Sequence, residues 1–182
     1  VMKRVVIIGS PGAGKSTAAL RLAAITRLPV IHLDQHFWSP GWVETEKSRW
    51  YEKVQALVTT PQWIMDGNYG STLDQRLSVA DTLIWLDYSS LTCLRRILMR
   101  TIKYWGKTRP DIGEGCPERF DWAFLKFALN YRRDKRRRDQ QKVKAFSGKT
   151  WQFTSPKALE EFLSALASES GITPNDISDN PL

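Results

Sequence analysis

Between residues 9 and 17 the chain reads Gly9-Ser10-Pro11-Gly12-Ala13-Gly14-Lys15-Ser16-Thr17, the pattern G-x-x-x-x-G-K-[ST]. Each residue type in it has a chemical use. Glycines admit backbone conformations closed to residues with a Cβ, so successive N–H groups can converge on phosphate oxygens. Lys15 is a mobile point charge with the reach for β and γ phosphates, and the Ser16 hydroxyl is a hard donor suited to Mg²⁺. The expected nucleotide cradle is Gly9, Pro11, Gly12, Ala13, Gly14, Lys15, Ser16 and Thr17, with ATP and Mg²⁺ as its ligands. Three acids stand apart from it in sequence, Asp34, Asp66 and Asp87. Each follows a short apolar run and so falls at a strand end, where Asp34 and Asp66 are candidates for chemistry and Asp87, farther from the phosphates, reads as structural.

The elements that must position these groups can be read from periodicity. Val5-Val6-Ile7-Ile8 is a β-branched strand entering the cradle, and a helix-like run from Lys15 to Ile25 leaves it with the positive end of its dipole aimed at the same spot. Further strands are expected at Val30–Leu33, Trp63–Met65, Thr82–Leu86 and Lys149–Thr154. Between and after them lie helices that begin near Glu44, Thr72, Ser89, Pro117 and Ser155. Strands alternating with helices, and apolar almost throughout, predict a parallel sheet covered on both faces. The helix from Ser89 to Trp105 is expected to bury Leu91, Leu94, Ile97 and Leu98. The next is expected to bury a stripe of Phe120, Phe124, Phe127 and Tyr131. Between them Gly106 to Pro117 is too rich in Gly and Pro for regular structure and predicts a mobile loop.

A chain of 182 residues suits one domain with a core of its own, here 1–168, followed by a polar, disordered tail at 169–182. Two cysteines, Cys93 and Cys116, have no zinc or disulfide spacing and read as reduced thiols. No apolar run approaches the roughly 18 residues of a membrane span, and the four before Gly9 fall short of a secretory signal. A cytoplasmic protein without a membrane partner is expected. His32, Asp34 and His36 alternate and invite a metal reading, against which stands the absence of a second ligand cluster. Most of the net charge of +8 sits in residues 132–144, with eight basic and two acidic side chains. That run reads as a solvated helix face, as a phosphate-binding arginine set, or as a nucleic-acid contact through Arg132, Arg133, Arg136, Arg137 and Arg138.

Together the cradle on strand one, an acid after strand two, Asp66-Gly67 after strand three and an arginine-bearing helix entering a Gly/Pro loop resemble the adenylate kinase-like P-loop group. Shikimate and gluconate kinases share that plan. Pro29-Val30-Ile31-His32-Leu33-Asp34, Pro40-Gly41-Trp42-Val43, Trp63-Ile64-Met65-Asp66-Gly67-Asn68-Tyr69 and Thr108-Arg109-Pro110-Asp111 look more narrowly like the bacterial DNA topology modulation (FlaR-related) branch.

The resemblance implies a P-loop NTPase fold, a five-stranded parallel sheet in the order 2-3-1-4-5 with helices on both faces and a small lid at about 101–119. It implies ATP-dependent phosphoryl transfer to a small acceptor. Asp66 would support Mg²⁺ with Ser16, and Asp34 would act on the acceptor hydroxyl. Trp38, Trp42, Asp66, Gly67 and Arg76 would line the acceptor site, and Arg100, Arg109 and Arg119 would act as lid arginines. The adenine would lie near Thr154 to Lys157. Departures are the absence of an arginine two residues beyond the Asp-Gly pair, where adenylate kinases carry one, and Ser16 in place of their glycine. The alternative from another class is a nucleotide-regulated DNA-binding protein that uses the basic segment.

Overall fold

The computed structural model describes residues 2–172. Of the expected tail, only Glu169 to Ile172 fall within that range: Glu169 ends the last helix and Ile172 packs on the core. The rest of the tail lies outside the described residues.

The chain alternates strands and helices as its periodicity predicts. In order these are β1 (Arg4–Gly9), α1 (Lys15–Thr26), β2 (Val30–His32), α2 (Leu33–Phe37), β3 (Trp38–Ser39), β4 (Val43–Glu44), α3 (Lys47–Val58) and β5 (Trp63–Asp66). Then come a 3₁₀ turn (Gly70–Thr72), α4 (Leu73–Leu77), β6 (Thr82–Leu86), α5 (Ser90–Lys103), α6 (Trp122–Ala145), β7 (Lys149–Phe153) and α7 (Pro156–Glu169). Five strands form one parallel sheet, β2-β5-β1-β6-β7. Counted along the chain, its strands run 2-3-1-4-5.

β1 alternates its side chains between two cores. Val5 and Ile7 pack with Ala18, Leu22 and Ile25 of α1 and Leu159 and Leu163 of α7. Val6 and Ile8 pack on the other face with Trp50, Val54 and Val58 of α3 and Leu73 of α4. With both faces covered, the strands bury every residue from Val5 to Gly9, Trp63 to Asp66 and Thr82 to Leu86. Polar chemistry is therefore confined to the carboxyl ends of the strands, the usual ligand edge of such sheets.

Several expectations need correction. Between the second strand and the helix expected near Glu44, where the periodicity predicts no element, the chain forms the short helix α2 and a hairpin, β3 paired with β4. The helix α2 breaks the strand alternation that would align His32, Asp34 and His36, and among the described residues no group of three or more His, Cys, Asp or Glu could hold a metal ion. On α5 the buried residues are Cys93, Ile97 and Thr101, whereas Leu91 and Leu98 face out. α6 starts at Trp122, capped by Asp121, and buries Leu125, Ala128 and Tyr131, leaving Phe120 before the helix and Phe127 exposed. In both helices apolar residues line two faces, and periodicity alone could not tell which one meets the protein.

The Gly/Pro segment is also more ordered than its composition implies. It carries isolated bridges between Trp105 and Glu118 and between Thr108 and Pro117, and it packs on the β3–β4 hairpin. Gly41 N–H donates to Gly115 O at 2.8 Å, Gln35 Nε2 to Pro110 O at 2.7 Å and Trp42 Nε1 to Pro117 O at 3.1 Å.

Candidate active site

The turn between β1 and α1 has the shape its glycines permit. Gly12 and Gly14 hold φ of 80° and 85°, left-handed values that cost a residue with a Cβ about 1 kcal/mol or more. α1 begins at Lys15 with no side-chain cap and no acid in its first turn, so its N–H groups and positive dipole end face the loop uncompensated. Lys15 Nζ folds back over the loop, donating to Gly9 O at 2.9 Å and Ser10 O at 3.2 Å. Burial holds its ammonium below the ordinary lysine range, and the charges of Asp34 and Asp66 partly restore it.

Asp66 ends β5 beside β1, with Ile7 as its register partner. Its Oδ2 accepts from Ser16 Oγ at 2.7 Å and its Oδ1 lies 2.6 Å from His32 Nδ1. Burial would lower the His32 pKa, but the bond to Asp66 and its charge override that and raise it. The Ser16 hydroxyl and the Asp66 carboxylate, hydrogen-bonded to one another, are hard oxygen donors of the kind that fits Mg²⁺. Ser16 and Asp66 are the residues that would hold it.

Asp34 lies in the first turn of α2. Burial pushes its carboxyl above the usual carboxylate range and Asp66 adds to this, while a hydrogen bond from Tyr69 Oη and the charges of Lys15 and Arg109 oppose it. Tyr69 is itself held by stacking against Phe37 and Trp50, with ring centroids 4.7 and 4.9 Å away. Trp38 and Trp42 are half-buried in the hairpin beside it, 5.4 Å apart and edge to face.

Arg109, in the segment beyond α5, acts on the charge of Asp34, and Arg100 of α5 acts on that of Lys15. Both contact the buried Glu118: Arg100 Nη2 at 3.3 Å, and Arg109 Nε at 2.8 Å in an ion contact that is close but off the N–H axis. Arg109 also pairs with Asp111 at 3.0 Å. Burial and the neighbouring Arg109 hold Arg100 below its ordinary pKa. Arg119, expected to join them, is exposed to solvent on the far side of Glu118 in sequence and makes none of these contacts.

The structure places Arg76 differently from the expectation that it grips the acceptor. It is fully buried, and its guanidinium donates to Gly67 O at 3.0 Å, Asn68 O at 2.6 Å, Tyr69 O at 3.2 Å and Thr72 O at 3.4 Å. With its donors on carbonyls and its pKa lowered to about 10 by burial, Arg76 is a clamp on the 67–69 segment, not a substrate contact. The clamped backbone is unusual: Gly67 sits at φ 135° and Tyr69 at φ 29°. The clamp has a purpose, since Asn68 Oδ1 accepts from the Gly9 N–H of the cradle at 3.0 Å while Tyr69 reaches Asp34.

Sequence reasoning missed Asn68, Tyr69 and Arg96. The Arg96 guanidinium lies over Gly14, so close that a Cβ there would meet Nη2 at 2.5 Å. Its spacing of four from Arg100, one helical turn, was the signal available. The basic segment also resolves into partners. Arg136 binds Asp87 through Nε and Nη2 at 2.9 and 2.7 Å, Arg132 reaches the same carboxylate at 3.4 Å, Arg138 pairs with Asp139 and Lys142 with Asp74. Much of the run is thus neutralised within the fold, with Arg133 and Arg137 left on the exposed side.

No protein-family model matches the chain, and no curated protein matches it. Among solved structures it is similar to a gluconokinase from Sinorhizobium meliloti 1021, at 16% identity over 93% of this chain and 94% of that one, with a TM-score of 0.49.

Proposed function

We propose that this chain is an ATP-dependent phosphotransferase that moves the γ-phosphoryl group to a small hydroxyl-bearing acceptor, such as a nucleotide, a nucleoside or another hydroxyl compound. One observation carries the reading: a half-buried carboxyl, Asp34, shares its electrostatic neighbourhood with Lys15, Asp66 and Arg109 at the mouth of a phosphate cradle. A nucleotide-binding switch has no use for a base at that place; a transferase needs one.

The uncapped start of α1 and the loop N–H groups bind the phosphates, and Lys15 neutralises the β and γ oxygens. Ser16 and Asp66 would hold Mg²⁺, which would supply further neutralisation of the phosphate charge. Asp34 accepts the acceptor's hydroxyl proton as the oxygen bonds to the γ phosphorus and the bond to the β–γ bridging oxygen breaks. Arg100 and Arg109 stabilise charge on the group in transit. The hairpin carrying Trp38 and Trp42, capped by the 106–117 segment, walls the acceptor from water, so that hydrolysis does not compete.

The test is ADP release from MgATP across a panel of nucleoside monophosphates, nucleosides and hydroxy acids, with Lys15→Ala as control. One acceptor should accelerate release about a hundredfold or more over water, and Lys15→Ala should abolish the gain. A flat panel with ATP bound would defeat the proposal.

A further inference from the structure

α5 turns a second apolar face to solvent. Leu91, Leu98, Met99 and Ile102 recur at helical spacing and are exposed, Leu91 by 76% and Ile102 by 79%. α6 does the same with Trp122, exposed by 77%, and Leu129. The two helices are antiparallel, since Arg100 near the end of α5 lies over Phe124 near the start of α6, while Asp87 just before α5 binds Arg132 and Arg136 far along α6. Their shared seam is Leu94, Ile97, Leu125 and Ala128. Counting 100° per residue, the exposed stripe lies about a quarter turn from the seam in the same rotational sense on each helix. In an antiparallel pair of right-handed helices that places both stripes on one side, forming a continuous apolar face.

Charge on this face has one sign in excess. α5 contains no acid and carries Arg95 within its outer stripe, while Arg96 and Arg100 turn toward the cradle and Glu118. The outer stripe of α6 adds Lys126 and Arg133, the latter beside Asp134. A two-fold pairing of copies would set these cations against one another. Exposed aliphatic side chains, a tryptophan at the edge and long cationic side chains that can extend past the apolar surface are the composition that seats a helix in a charged lipid interface.

We propose that the outer face of the α5–α6 helix pair docks on an anionic phospholipid bilayer, with Leu91, Leu98, Ile102 and Trp122 entering the headgroup boundary and Arg95 and Lys126 meeting lipid phosphates. The face is separate from the phosphate cradle, so the proposal does not depend on the transfer reaction.

The test is co-sedimentation of the full chain with vesicles of phosphatidylcholine alone or with about 30% phosphatidylglycerol. The anionic vesicles should bind at least about tenfold more protein, with the difference falling steeply as NaCl rises to about 0.5 M. Leu91→Glu/Ile102→Glu should abolish binding while leaving the melting temperature unchanged, because both side chains are in solvent. Arg95→Gln/Lys126→Gln should narrow the preference for anionic lipid. Failure to bind either vesicle, or equal binding to both, overturns the proposal. So does a dimer in sedimentation equilibrium that the Leu91→Glu/Ile102→Glu variant dissociates, which would give the face to a second copy.

Discussion

Asp34 shows how burial and one hydroxyl set a residue's chemistry. Its carboxyl is pushed up by desolvation, and the Tyr69 hydroxyl stabilises the ionised form. As a base it works only when ionised, so the proposed activity should rise with pH through its pKa. Tyr69→Phe removes the opposing bond and raises that pKa further. The acidic limb of kcat/KM should move to higher pH by about one unit, the scale of a hydrogen bond to a charged group, with nucleotide affinity unchanged. The same burial has a stability sign: a folded-state carboxyl pKa above its unfolded value favours folding at low pH and loses that contribution as pH rises through it. Asp34→Asn should therefore raise the melting temperature at neutral pH while eliminating turnover, as thermal unfolding and the ADP-release assay would show.

The hairpin and the 106–117 segment hold one another as elements. Gly115 takes φ 75° and lies so close to the hairpin that a Cβ would meet Pro40 Cβ at 2.8 Å; Gly106 takes φ 68° with nothing within 4 Å. Gly106→Ala should cost only the left-handed strain, about 1 kcal/mol, whereas Gly115→Ala should cost about 1–2 kcal/mol more through the hairpin contact. Urea unfolding of the two variants measures the difference. If roofing the acceptor matters, Gly115→Ala alone should also raise ATP hydrolysis without an acceptor.

At the scale of the molecule Asp87 ties distant parts of the chain together. It follows β6, binds Arg132 and Arg136 from α6 and accepts from Gln152 Nε2 of β7 at 3.0 Å. Burial would raise its carboxyl, but the Arg136 bond overrides this and holds it below the usual range. A depressed folded-state pKa contributes stability that is present above the unfolded value near 4 and is lost as pH falls through the folded one. Asp87→Asn should cost about 1–2 kcal/mol at pH 7, since the arginines are partly solvated, and should flatten the acid side of the stability–pH curve. Denaturation midpoints at about pH 3 to 7 would check both.

What the sequence by itself determined is what local chemistry controls. Glycines and a lysine in a phosphate-binding order, apolar runs long enough to be buried strands and an acid after three of the five strands prescribe the cradle, the parallel sheet and its ligand edge, because backbone sterics and burial act within a few residues. Only the tertiary structure decided which partner each charged side chain meets. Arg76 has the charge to grip an acceptor, yet packing buried it among carbonyls of its own loop. Arg136 belongs to a run suited to nucleic acid, yet Asp87 lies 49 residues away in sequence and within reach in space. Leu91 was expected in the core, yet α5 turns it to solvent, since a helix apolar on two faces leaves the choice between them to its neighbours.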